Sequence, residues 1–260
     1  MAIRARTGVV LTAGGFINNP DMIEQYAPVL QLTPLRLGTD GDDGRGIRMA
    51  QAVGAAVKRM DSVECAVPFN SPRSLKHGIL VNRYGQRFVN EDTYMGRVGQ
   101  RALVKELGQA YLIVDEEHYQ PNWLNVHATW VCESPAELEA EIGLPTGALV
   151  ETIEYFNRHA ENGDDPLFHK RPPLLTPLRG ALAAFDLRSD KFIYAPFTLG
   201  GLHTSITGEV LDDDEEPIPG LFAAGRTTSG VAALGYCSGV SLGDSTFFGR
   251  KAGRAAAGTK

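Results

Sequence analysis

The sequence lacks any apolar run approaching the ~18 residues of a membrane span, and its first residues form no apolar signal segment. No membrane span is expected. It is poor in cysteine. Cys65, Cys132 and Cys237 stand far apart, with no C-x-x-C. Three thiols cannot all pair internally, which argues against a disulfide framework and against a cysteine-based zinc site. A reducing cytoplasm is the expected compartment. No basic cluster is present: 25 Lys and Arg face 31 Asp and Glu, for a net charge of −6. Such a chain is a poor partner for nucleic acid or an anionic membrane. Internal repeats and low-complexity segments are absent too. What is abundant is glycine and proline, 29 and 15 of 260 residues, above the ~12% average share. That excess points to tight turns and to backbone that approaches a ligand closely.

Along the chain, Val9 to Thr12 is a short β-branched run closed by Gly14-Gly15, which predicts a buried strand feeding a turn. Asn19-Pro20-Asp21 opens a short helix, with Asn as cap and Pro at the first helical position. The loop Thr39 to Gly46 holds three aspartates and three glycines before a helical pattern through Ile47, Ala50, Val53 and Val57. It has neither the alternating ligands nor the twelfth-position Glu of a calcium loop, so it reads as a helix-start loop near a ligand. Residues 78–92 predict a hairpin turning at Tyr84-Gly85, and Ala110 to Asp115 another buried strand. Ser134-Pro135-Ala136-Glu137 is a capping box that starts a helix ending at Gly143. A second helix is predicted over 146–162, with Leu149, Ile153 and Phe156 as its packing stripe. The last third predicts a hairpin around Asp212 to Asp214, a strand in Gly220 to Gly225, a glycine-rich loop over 229–239, and a final helix over 240–257.

Two segments share one form, VVLTAGG (9–15) and GLFAAG (220–225). Each is a buried strand ending in small residues, and in open α/β sheets ligands sit beyond such strand ends. The second also leads to a helix N-terminus, where free N–H groups favour an electron-rich partner. The plainer alternative is that these glycines only close turns.

Three segments together, TAGGF (12–16), GILVNRYGQRFVNED (78–92) and GGLHTSITGEVLD…PIPGLFAAG…GYCSGVSLGDSTFFGRKAG, resemble the flavoprotein family of fumarate reductases and ketosteroid dehydrogenases. The resemblance spans nearly the whole chain. It implies α/β plus α+β architecture: the C-terminal part of a Rossmann-like FAD-binding domain with an inserted α+β cap. The expected division is 1–34 and 191–260 for the FAD-binding parts and 35–190 for the cap, or substrate, domain. The family opens with a G-x-G-x-x-G unit that this sequence does not contain, so a fragment lacking that half is expected. With FAD as cofactor, the resemblance places Thr12, Ala13 and Gly14 close to it. Ala224 and Gly225 approach its diphosphate or ribitol. Arg226 stands where the family has a ribose-binding Glu. Gly239 precedes the last helix, where Ser241 and Leu242 turn backbone N–H groups to the flavin pyrimidine.

The branch is set by replacements. Aligned without gaps, the arginine acid of fumarate reductases falls on Ser74, with Arg73 one place off. Their paired histidines fall on Pro196-Phe197, and their substrate-binding arginine on Tyr236. A dicarboxylate needs fixed cations, so a small apolar carbonyl substrate is expected instead. Tyr236-Cys237-Ser238-Gly239 resembles the Tyr-x-Ser loop of 3-ketosteroid Δ4-(5α)-dehydrogenases, with Tyr94 completing the site from the cap. The implied chemistry is desaturation of a C–C bond beside a ketone, with hydride transfer to flavin N5, a base for the α proton and donors to the carbonyl oxygen. Each residue has an ordinary alternative: Tyr236 as an aromatic lid, Ser238 as a helix cap, Tyr94 as core packing, His203 as a packed histidine. Two other readings of the whole are an enone or alkenoate reductase of the fumarate-reductase kind, and a non-catalytic fragment. The fragment would self-associate or need a partner segment to bind FAD. The remaining histidines have no ligand spacing, so no metal is expected.

Overall fold

The computed structural model describes residues 4–233 and 235–258. In chain order its strands are β1 (Val9–Leu11), β2 (Val57–Lys58), β3 (Val63–Ala66), β4 (Ile79–Asn82), β5 (Ala110–Asp115), β6 (Trp130–Cys132), β7 (Leu182–Asp186), β8 (Ala195–Thr198), β9 (Gly201–Leu202), β10 (Glu209–Leu211) and β11 (Pro217–Ala223). The α-helices are α1 (Pro20–Tyr26), α2 (Arg45–Gln51), α3 (Met95–Val104), α4 (Pro135–Ile142), α5 (Ala148–Ala160) and α6 (Val240–Ala256). This is a mixed α/β chain with small sheets. Among the described residues no helix is long and apolar enough to cross a membrane.

The chain divides into two compact units. One comprises 1–31, 35–64 and 195–260; the other comprises 32–34 and 65–194. The divisions at 64/65 and 194/195 compare with the expected 34/35 and 190/191. The loop and helix of residues 39–51 therefore belong with the glycine turns, and the side chains below show why.

In the first unit the two strand-plus-glycine segments lie side by side. β1 pairs in parallel with β11 in the register Val9 to Leu221, Val10 to Phe222 and Leu11 to Ala223. β10 joins the other edge of β11, antiparallel. Both glycine turns thus leave the same end of one sheet. Phe222, Ala224 and Ala252 form a small core beneath it, with Val10 and Phe248 packed against them. α6 follows the left-handed Gly239, at φ 92°. α1 is capped as predicted, by Asn19 accepting from Met22 N–H. α2 is shorter than its apolar pattern, because Val57 is taken into β2, which pairs with β9.

The second unit is built on an antiparallel sheet in the order β4-β5-β7-β6. Its core unites Ile79, Val81 and Ile113 of the sheet with Leu138, Leu149, Ile153 and Phe156 of α4 and α5. Ser134 caps α4 by accepting from Glu137 N–H, and Gly143 ends the helix in the left-handed conformation. The 78–92 hairpin turns at Gly85, but its return strand is only a bridge from Arg87 to Val81. Arg87 is the reason. It is buried and forked onto Glu91 and Asp165 at 2.8 to 3.1 Å. Lys170 adds contacts to Glu91 and to the carbonyls of His77 and Gly78. Two residues of this motif, Arg87 and Glu91, thus join Asp165 and Lys170 in a buried ion network of the second unit.

Candidate functional site

The parallel pairing of β1 with β11 sets the geometry of the site. β1 ends in Thr12-Ala13-Gly14 and β11 in Ala224-Gly225. Both glycines adopt positive φ, 78° and 69°, which lets each turn reverse sharply without a side chain. Thr227 Oγ1 donates to Gly14 O at 3.1 Å and ties one turn to the other. Between them and the start of α6 lies a cavity of about 420 Å³, lined by Thr12, Gly14, Ala224, Gly225, Arg226, Ser241, Leu242 and Ser245.

Seven of the nine residues expected around the cofactor line this cavity. Ala13 and Gly239 do not. Ala13 turns its methyl toward Gly46 of α2, where any larger residue would collide with it. Gly239 supplies the left-handed step into α6. Leu242 N–H already closes onto Gly239 O at 3.1 Å, so it is engaged in the first helical turn. Ser245 was not expected, yet it stands one turn after Ser241 on the same helix face, a spacing readable in the sequence.

Asp42 had no such signal. It comes from the aspartate-rich loop and is buried. Its Oδ1 accepts from Gly15 N–H at 2.9 Å and its Oδ2 from Thr39 N–H at 3.0 Å. Arg226 donates to Oδ2 at 2.8 Å. Burial opposes ionisation of this carboxyl, but the Thr39 N–H, Arg226 and the Gly15 N–H outweigh it and hold the pKa below the usual range. The loop that superficially resembled a cation site is thus a brace for the first glycine turn.

The loop after β11 is fastened at several points. Ser229 N–H donates to Leu202 O at 3.0 Å, Val231 N–H to Asp244 of α6 at 3.2 Å, and Ser62 to Ala233 O. Leu234 lies outside the described residues. Tyr236 is half-buried and meets Phe197 of β8 edge-on, with ring centroids 5.2 Å apart and planes at 86°. Cys237 and Ser238 are exposed, and the cap position of α6 is taken by Gly239 rather than Ser238. Tyr94 belongs to the second unit, where it precedes the first turn of α3. Ser74 is also in that unit, in a short 3₁₀ helix, with its Oγ buried and without a hydrogen-bond partner among the described residues.

His203 Nε2 lies 2.7 Å from Lys58 Nζ. Burial and the neighbouring Lys58 lower its pKa, which keeps it neutral. In the second unit the fold stacks His77 on His118 at 4.1 Å, a pairing no sequence spacing announced. His118 Nδ1 contacts Asp115 at 2.7 Å and His77 Nδ1 contacts Thr176 at 3.0 Å.

The cavity suits part of an anionic dinucleotide. Its volume lies in the range of small-ligand sites. Its walls are glycine turns and small side chains that bring backbone close, with one guanidinium and a helix N-terminus at its rim.

Comparison with known proteins agrees with that fit. The family described as "FAD binding domain" matches residues 1–242. The chain is 30% identical to the 3-oxosteroid 1-dehydrogenase of Mycolicibacterium smegmatis, over 95% of this chain and 51% of that protein. It is 29% identical to a cytochrome-type fumarate reductase of Shewanella frigidimarina, over 96% of this chain and 43% of that protein. Among solved structures, a 3-ketosteroid-Δ4-(5α)-dehydrogenase from Rhodococcus jostii, in complex with 4-androstene-3,17-dione, is similar at 49% identity and a TM-score of 0.90. That likeness covers 98% of this chain and 53% of the other. The chain therefore spans about half the length of the relatives it matches. Two glycine turns on parallel strands, a helix N-terminus beside them and a family match over residues 1–242 lead to one conclusion: this chain belongs to the FAD binding domain family.

Proposed function

We propose that this chain forms the substrate-side half of an FAD-dependent dehydrogenase that acts on a C–C bond beside a ketone, with a 3-ketosteroid-like substrate. The observation that carries the reading is the Phe197–Tyr236 pair. By the sequence resemblance these two residues fall where fumarate reductases carry a histidine and an arginine, and here their rings meet at 86°. Arg226, whose guanidinium lies 5.8 Å from the Phe197 ring, is engaged by Asp42, whereas a dicarboxylate needs fixed cations. The 49%-identical relative with a bound steroid supports the same branch.

Bound FAD supplies the hydride acceptor. The chain's own residues supply the rest. The turns at Gly14 and Gly225 and the start of α6 hold and orient the cofactor. The Tyr236 phenolic oxygen, in its deprotonated form, takes the proton α to the carbonyl and becomes the hydroxyl. Ser238 donates a hydrogen bond to the carbonyl oxygen, where negative charge develops. The resemblance implies Tyr94 as a further donor. Apolar Phe197 excludes water from the reacting carbons. Ile206, Val231, Leu242 and Phe247 are exposed on the first unit.

The test is steady-state kinetics with added FAD and an artificial electron acceptor, on a 3-ketosteroid and on fumarate. Tyr236→Phe should lower ketosteroid turnover by ~10²-fold or more, the scale of losing a general acid–base group. Ser238→Ala should cost less, because water can replace a carbonyl donor in part. Fumarate turning over faster than the ketosteroid, or unchanged turnover in Tyr236→Phe, overturns the reading.

A further inference from the structure

Arg226 immediately follows the glycine that ends the second strand segment, and its side chain reaches in two directions at once. Its Nη2 is bonded to Asp42, which two backbone N–H groups fix in turn. Its guanidinium carbon lies 5.8 Å from the centroid of the Phe197 ring, within cation–π range. Phe197 in turn presents its face or edge to Tyr236 at 86°. β8, which carries Phe197, is tied to the first glycine turn as well, because Thr198 Oγ1 accepts from Phe16 N–H at 3.1 Å. The series carboxylate, guanidinium, ring, ring thus runs from the aspartate-rich loop to the tyrosine of the last glycine-rich loop, all within the first unit.

Tyr236 needs such support. It sits in a stretch with no regular secondary structure, next to glycine on one side and to exposed residues on the other. An edge-to-face contact has a preferred geometry, but it orients Tyr236 only if the partner ring is itself held. Arginine suits that role better than lysine, because its planar group can stack on a ring while bonding a carboxylate.

We propose that Arg226 is a positioning residue for Tyr236: locked by Asp42, it fixes the Phe197 ring in the orientation that sets the Tyr236 ring at right angles to it. The functional consequence rests on the reading of Tyr236 as the reacting tyrosine, but the positioning itself does not. It is therefore measured without substrate or cofactor.

The experiment is NMR of the 260-residue chain carrying ring-labelled tyrosine, with the Tyr236 signal assigned among the eight tyrosines by its loss in Tyr236→Phe. Phe197→Leu should displace the Tyr236 ring signal by removing the ring current. Arg226→Gln should displace it in the same direction, and should have no further effect in the Phe197→Leu background. Arg226→Lys keeps the charge beside Asp42 but not the planar group over Phe197; it should give a smaller displacement in that direction. It also provides the measurement if Arg226→Gln does not fold. A Tyr236 signal that stays at its wild-type position in the Arg226 variants overturns the proposal. So does a displacement of equal size with and without Phe197, which would mean that Arg226 acts on the turn alone. Altered Tyr236 signals together with normal turnover in Tyr236→Phe would instead uphold the positioning and refute the catalytic reading.

Discussion

At Gly14, φ is 78° and a Cβ would fall on Asp42 Oδ1. The position therefore demands glycine for two reasons, backbone conformation and lack of space. Gly14→Ala should strain the turn and push Asp42 away from Gly15 and Arg226. We expect a loss of about 1–3 kcal/mol, read as a lower thermal midpoint. Gly249 is the contrast. It lies within α6 with nothing inside 4 Å of its added Cβ, so Gly249→Ala should raise stability by about 0.5–1 kcal/mol through helix propensity. A Gly14→Ala variant as stable as wild type would show that the Asp42 brace gives way at no cost. Both glycines look alike in the sequence; the neighbour at one and open space at the other separate them.

At the scale of elements, the strand-and-turn motif of residues 78–92 joins a backbone reversal to a buried charge cluster. Arg87 and Glu91 are one helical turn apart in number, yet they lie on an irregular segment that folds back on β4. Glu91 also accepts from Leu80 N–H at 3.0 Å, so the network fastens the return of the hairpin that hydrogen-bond pairing alone leaves to one bridge. Burial works against the charged form of Arg87, but Glu91 and Asp165 more than offset it and raise its pKa further above the ordinary arginine range. Removing one member of such a cluster leaves the others buried and unmatched. Arg87→Met should cost the second unit about 3–5 kcal/mol, measured from the urea midpoint. A change below about 1 kcal/mol would mean that the desolvation of Arg87 cancels its attraction to the two carboxylates.

For the whole molecule, the question is what half the length of its relatives can hold. The cavity between the glycine turns offers backbone, one guanidinium and a helix N-terminus, while the sequence contains no G-x-G-x-x-G turn to cradle a diphosphate. The 260-residue chain by itself should therefore bind FAD weakly. Isothermal titration should give a dissociation constant above the micromolar range, on the order of the contacts that a partial site supplies. Sub-micromolar binding would show that these turns anchor the dinucleotide without help.

Much of the local structure was determined by the sequence itself. Asn19 and Ser134 cap their helices because a short side-chain oxygen there satisfies a free N–H. The stripe of Leu149, Ile153 and Phe156 faces a core because their spacing matches the helical period. Small residues after VVL and LFA marked the two turns because only they permit close backbone approach, and the cavity formed where those turns meet. The tertiary structure alone decided the rest. That β1 and β11 are neighbours, although about 200 residues separate them in number, depends on sheet pairing that no local pattern encodes. The second strand of the 78–92 hairpin yielded to the burial of Arg87. Asp42 braces Gly15 and Arg226, and Phe197 meets Tyr236, because side chains distant in sequence must satisfy charge and fill space together once the chain has folded.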